Sequence, residues 1–422
     1  MNKIFVFAFI ALGTSLGAQS IGNSPYASFG LGDVKYDNDL NISAMGGISS
    51  AYIPDFSNTF NFANPAANFN LELTSLRGQV SNENNFYKSN QTGYDKTKHS
   101  NYLSNISIAL PLSSKVKFGL SYQPYSTKSY NIMTQKNLGE ENQQFNLFRG
   151  EGSINMVEGA LSYQVAQGFG LGFKTKFHFG KISDIEESFF SNSELINGFE
   201  TSSKIKSFNF TFGSVYQYKT PSDNKLTLGA TYQFGNSGTM ESTYTNSTYF
   251  YTKNVRRDIN IIEKKNSESK NIIPQVFTAG LGYGKDNRWF TSAQVEYTKG
   301  RKLNYVLQNF EYQDAYKISA GGWFLPNSND FRNYFSRVTY KYGGFYEKGD
   351  LNINGKNIDS YGLSLGANFP LKPTSNSFNS IDVSVELGKR GTTQNNLVQQ
   401  GFINLKVGFN FADRWFIKNL YN

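Results

Sequence analysis

Few side chains in this sequence are equipped for chemistry. There are two histidines, His99 in an expected outer loop and His178 in an expected strand, and no cysteine. A serine hydrolase needs a histidine beside its nucleophile and a polar group to orient it. No motif near either histidine supplies that arrangement, so no enzyme activity is expected. Without cysteine there is no disulfide, lipid-anchor thiol or thiolate metal site. Asp37-Asn38-Asp39 groups oxygen-bearing side chains that calcium could use, but the spacing is not that of an EF-hand loop. An Asx turn is the simpler reading, and neither metal nor cofactor is expected. Lys174, Lys176 and His178 recur at every second residue, which in a strand places them on one face. Such a ladder either attracts an anionic head group or balances the carboxylates Glu158, Asp382 and Glu386. Arg256-Arg257 and Lys264-Lys265 lie in the longest polar connection, where they suit lipopolysaccharide phosphates, a protein partner or plain solvent. The net charge of +9 is spread along the chain, so a nucleic-acid partner is not expected.

The elements that would position these groups are strands. Between Thr74 and Phe411 there are about fourteen segments of roughly ten residues in which apolar and polar side chains alternate. Leu226, Leu228, Ala230, Tyr232 and Phe234 alternate with Thr227, Gly229, Thr231 and Gln233; Tyr361, Leu363, Leu365, Ala367 and Phe369 alternate with Gly362, Ser364, Gly366 and Asn368. The polar face is rich in Gly, Ser, Thr and Asn. Connections alternate between short ones, such as Lys285–Asn287, and long ones, up to the stretch from Gly235 to Ile273. This pattern predicts an all-β fold, a transmembrane antiparallel β-barrel with its apolar face toward lipid, short turns in the periplasm and long loops outside. A slip of one residue would turn every apolar side chain into the lumen, so register is strongly specified. Aromatic residues make up 16% of the chain, as lipid-facing girdles require.

The N-terminus reads as an export signal over 1–18. Lys3 precedes the apolar run Ile4–Leu12, and small residues lead to cleavage near Ala18/Gln19. Residues 74–422 are the expected barrel with its outer loops. Residues 19–73 are too few for an independent domain, yet Phe29, Leu31, Met45, Ile48, Ile53, Phe56, Phe60 and Phe62 make them too apolar for a free tail. A barrel of this size has a lumen wider than its wall side chains fill, so an N-terminal hatch, or plug, inside the lumen is expected.

The segment contains Ala44-Met-Gly-Gly47, Ser50-Ala-Tyr52 and Asn64-Pro-Ala66. A Gly-rich stretch followed by Asn-Pro-Ala before the first strand resembles the FadL family of outer-membrane transporters. That resemblance implies a fourteen-stranded barrel with a hatch in which Gly46, Gly47, Asn64, Pro65 and Ala66 carry the motif. It also implies passive transport of hydrophobic small molecules resembling long-chain fatty acids across the outer membrane of a Gram-negative bacterium. The style of SPYASFGLGDV (24–34) and Trp415-Phe-Ile-Lys418 resembles outer-membrane proteins of the Bacteroidota, which use FadL-like barrels as accessory parts of larger machines. The alternative is therefore a non-transporting scaffold subunit of an outer-membrane secretion or assembly complex; a general porin is a further one. The expected partners are outer-membrane lipid and lipopolysaccharide, a hydrophobic ligand, or other outer-membrane proteins. The expected lumen set of Arg77, Lys117, Glu158, Lys174, Lys176, Glu296, Arg337, Lys341, Asp382, Glu386 and Lys406 is ionisable, so an apolar ligand site would have to come from the hatch and outer loops.

Overall fold

Alternation becomes a wall because each strand has a face that water cannot cover and a face that lipid cannot satisfy. The computed structural model describes residues 24–35, 39–54, 58–90, 96–137, 143–235, 237–253, 255–303, 310–330, 332–371 and 377–415. The expected export signal, Asp37 and Asn38 lie outside these residues. In chain order the first strands are β1 (Asp33–Val34), β2 (Thr74–Ser89), β3 (Lys96–Pro111), β4 (Val116–Thr127), β5 (Tyr130–Asn137), β6 (Gln143–Ala166), β7 (Phe169–Phe190) and β8 (Ile196–Lys219). Then come β9 (Asn224–Gln233), β10 (Ser237–Thr252), β11 (Val255–Lys270), β12 (Val276–Lys285), β13 (Trp289–Thr298), β14 (Phe310–Tyr312) and β15 (Ala315–Phe324). The last are β16 (Thr339–Lys348), β17 (Leu351–Ile353), β18 (Lys356–Asn357), β19 (Ser360–Pro370), β20 (Ser377–Arg390) and β21 (Val398–Asp413).

Fourteen of these close a ring of antiparallel pairs: β2, β3, β4, β6, β7, β8, β9, β12, β13, β15, β16, β19, β20 and β21, the last returning to β2. Every segment expected from the alternation is among them. The two faces differ as the pleat demands. Leu363 and Leu365 on β19 are each 64% exposed, whereas Ser364 between them is 2% exposed. An exposed apolar belt around a closed barrel is the surface of a membrane-spanning one.

The wall is uneven in height. β6, β7 and β8 run to 24, 22 and 24 residues, about twice the expected length. Beyond the belt the pattern inverts: Ile154 and Met156 of β6, Ile182 of β7 and Ile205 of β8 turn inward into a buried apolar cluster with Leu31, Tyr125, Ile272 and Ile273, while Lys181, Lys204 and Lys206 are exposed. The stretch 235–273, expected as a loop, holds the hairpin β10–β11, and β10 pairs with the outer half of β8. β5 pairs with the outer half of β6. A raised sheet β5-β6-β7-β8-β10-β11 therefore stands on one side of the barrel. β9 still pairs directly with β12, so this hairpin adds height without entering the ring. Two further placements differ from the reading of the sequence. His99 lies in the outer end of β3, not in a loop. Arg337 lies in a short 3-10 helix, Tyr334–Arg337, within the connection before β16, not in the lumen wall.

The residues before β2 make their contacts on the polar face of the wall. The single α-helix among the described residues, α1 (Leu40–Ala44), is wholly buried. Its N-cap is Asp39, whose Oδ1 accepts from Asn41 N at 2.8 Å and Ile42 N at 3.1 Å. Helix α1 touches β16, β19, β20 and β21.

Candidate functional site

The interior is built around wall glycines. At polar-face positions of several strands the space of the missing side chain is taken by backbone or side chains of the N-terminal segment. A methyl group on Gly229 would stand 1.8 Å from the carbonyl oxygen of Ser50, and one on Gly343 would stand 2.1 Å from the carbonyl carbon of Met45. Gly172 meets Pro65 and Ala66, Gly213 meets Asn64, Gly366 meets Ala44, and Gly119 meets Phe60 and Phe62. These contacts come from β4, β7, β8, β9, β16 and β19, so the segment is seated around much of the ring.

Asn64-Pro65-Ala66 sits in this seat with all of its polar atoms used. Asn64 Nδ2 donates to Ser50 O at 2.6 Å and to Ser214 O of β8 at 3.2 Å. Its Oδ1 accepts from Ala66 N at 3.1 Å. Asn61 and Asn68, which the sequence reading passed over, complete the turn. Asn61 Nδ2 donates to Ser49 O and Tyr52 O at 2.8 Å each, and Asn68 Nδ2 donates to Asn61 O and Pro65 O at 3.1 Å each. Gly46 and Gly47 follow the end of α1 with φ of +70° and +95°, a left-handed backbone that favours glycine. Gly46 N donates to Ser364 Oγ at 2.9 Å. Gln294 was also missed: its Oε1 accepts from Ser49 N at 3.0 Å and Ser50 N at 2.8 Å, and its Nε2 donates to Gly47 O at 3.1 Å. The legible signal was a long amide on the polar face of a wall strand.

Ion pairs hold the same segment. Arg77 bridges Asp39 and Asp382, the latter at 3.2 Å. Asp382 also lies 3.6 Å from Lys341 and accepts from Asn368 Nδ2 at 2.6 Å. Asp39 is thus engaged by its helix and by Arg77. Toward the outer end, Lys35 pairs with Asp33 and Glu83 at 2.8 Å each, and Arg390 pairs with Asp33 at 2.7 Å. Burial by itself would raise the Asp33 carboxyl, but Lys35 and Arg390 together hold it down at about 2. Tyr26, Tyr312, Leu351, Ile353, Ile358 and Leu397 form an apolar cluster joining residues near the start of the chain to the strands β14 and β17.

The proposed basic ladder is divided. Lys174 Nζ donates to Phe62 O at 2.5 Å and lies 3.6 Å from Glu158, so it ties segment to wall. Lys176 donates to Gln233 Oε1 at 3.3 Å. His178 is buried edge-on to Tyr125, with ring centroids 4.7 Å apart. All three border a cavity of about 80 Å³. A larger one, about 230 Å³, is lined by Asp33, Lys35, Glu83, Lys317, Glu386 and Lys406 among others. Lys35 and Glu296 border both. Charged side chains thus border both spaces, beside apolar ones such as Tyr125, Met156 and Ile273 in the smaller and Phe345 and Phe402 in the larger. Sending a greasy molecule through either would strip water from ionised groups and return nothing to them.

Residues 1–422 match the family model described as BamG. No curated protein sequence matches the chain. Among solved structures, a Pseudomonas aeruginosa FadL homologue superposes with a TM-score of 0.58 at 14% identity, covering 89% of this chain and 96% of that one. The Pseudomonas putida toluene transporter TodX gives 0.58 at 14% identity, covering 92% and 100%. The CymD monoaromatic hydrocarbon channel gives 0.57 at 12% identity, covering 92% and 99%. At these identities the likeness is one of fold: the barrel is of the FadL type.

Proposed function

The chain belongs to the BamG family, and we propose that it is a plugged, non-transporting barrel of a Gram-negative outer membrane, serving as an accessory subunit of a larger assembly there. The observation that carries this reading is the ion-paired interior. Arg77, Asp39, Asp382 and Lys341 join plug to wall below, and Lys35, Asp33, Glu83 and Arg390 do so above. A plug held this way acts as filling, and the chain's working surfaces are then its outside ones. The raised sheet β5-β6-β7-β8-β10-β11 supports the same view, since strands of up to 24 residues reach about 75 Å along their length, far more than a belt of about 25 Å requires even when tilted. No reaction is assigned to the chain in this reading.

The test is purification from native outer membranes in a mild detergent. Other outer-membrane proteins should remain bound in fixed stoichiometry. A solitary barrel that retains an apolar small molecule inside its wall would overturn the proposal. That outcome would favour passive transport of hydrophobic molecules, the reading suggested by the fold shared with a toluene transporter and a monoaromatic hydrocarbon channel. Long-chain fatty acids would then be one substrate class to try, and the Asn64-Pro65-Ala66 turn the element to move.

A further inference from the structure

The lipid-facing belt is recessed over β8 and β9. Reading outward-facing residues across hydrogen-bonded partners, Leu161, Phe173, Phe212, Tyr232 and Phe277 form one unbroken row over β6, β7, β8, β9 and β12. Two residues further toward the short turns the next row is Tyr163, Leu171, Ser214, Ala230 and Ala279. Two further still, Tyr216, Leu228 and Leu281 are again large. Ser214 and Ala230 therefore lie low between two bulky rows, and they floor a recess bordered by Phe212, Tyr232 and Phe277. Positions four residues apart on a strand, such as Phe212 and Tyr216, are about 13 Å apart, so the side chains of the two rows do not close over the gap. The recess has a volume of about 450 Å³, and Ser214 and Thr231 bring the only side-chain hydroxyls to its lining apart from the phenols of Tyr163 and Tyr232; no charged side chain lines it. Its rim is open, with Phe212 53% and Phe277 48% exposed. The floor is braced from inside, because Gly213 and Gly229 on the opposite face seat Asn64 and Ser50.

We infer that this recess is a binding site for one acyl chain of a membrane lipid. It is continuous with the belt that faces the bilayer, and the molecules that cover that belt are acyl chains. It offers them an aromatic-rimmed trough instead of a convex wall, and it offers a head group nothing. The inference is independent of the plugged-subunit reading.

Native mass spectrometry of the purified protein after a delipidating detergent wash tests it. The unaltered protein should keep a lipid adduct. Ala230→Trp fills the trough and should lower the adduct-bearing fraction about tenfold. Ala320→Trp, on the lipid face of β15 and away from the trough, should keep the adduct. Ser214→Leu serves if Ala230→Trp does not give a heat-resistant folded barrel. An unaltered protein with no adduct, an adduct that Ala230→Trp or Ser214→Leu leaves in place, or a polypeptide in place of the lipid would each overturn the site.

Discussion

At the scale of the residue, the wall glycines are the most exacting positions. Gly229 has no room for a methyl group, whereas Gly78 has nothing within 4 Å of where one would stand. Gly229→Val should therefore cost at least the 1–3 kcal/mol typical of overpacking, while Gly78→Val should change stability little. Urea unfolding in detergent, followed by heat-modifiable migration, would compare them; equal losses would mean that the segment is not seated on the wall. Asp33 adds a pH signature. Its folded pKa lies below the unfolded one, so its contribution is full above the ordinary carboxylate range. That contribution is lost as pH falls from about 4 toward about 2. A shift from 3.8 to about 2 corresponds to roughly 2 kcal/mol. Asp33→Asn should weaken the protein at pH 6 and flatten its loss of stability between pH 5 and pH 2.5. An unchanged acid profile would remove Asp33 from this account.

At the scale of the element, the alternation divides lipid from interior, but the interior is not uniformly wet. Leu228 is 49% exposed on the lipid face, and Leu228→Arg should cost about 2–4 kcal/mol if it sits at midplane depth. Its neighbour Thr227 is 1% exposed and close to Ala51 and Ile53, so Thr227→Arg should also be damaging, through collision with the residues before β2. Asn404 borders the larger cavity, and Asn404→Arg should be milder than either. Refolding yields into lipid vesicles would rank the three. The hairpin β10–β11 makes a different prediction. Because β9 pairs with β12 without it, replacing residues 237–270 by a short linker should leave a heat-resistant barrel. Loss of folding would show that the raised sheet is part of the ring's stability.

At the scale of the whole molecule, the even number of wall strands puts both ends of the ring on the side of the short turns, the periplasm in this topology. A chain without cysteine suits a direct check. Asn287→Cys, in the turn between β12 and β13, and Lys264→Cys, on exposed β11, should label from opposite sides of intact cells. Labelling of Asn287→Cys from outside would invert the topology. Removing residues 24–71 should leave the ring closed and raise its conductance in planar bilayers, since the wall hydrogen bonds do not pass through that segment. A folded but still closed barrel would transfer the seal to the outer loops.

How much of this was legible in the sequence follows from the range of the interactions involved. The strands, their faces and the ring were legible because period-2 alternation is local and a one-residue slip reverses it at every position of a strand. The turn at Asn64-Pro65-Ala66 was legible because proline restricts its own backbone and that of its neighbour. Partners were not. Gln294 and Ser49 are separated by 245 positions and Arg77 and Asp382 by 305, and no local pattern reports such a pairing. The lumen charges could be read one by one, except that Arg337 belongs to a connection. That Lys174 would grip the carbonyl of Phe62, and that Lys35 and Arg390 would share Asp33, depended on where the residues before β2 meet the wall. The polar-face glycines were visible throughout as weak strand residues. Only the tertiary structure showed that several of them omit a side chain so that backbone or side chains of the residues before β2 can lie there.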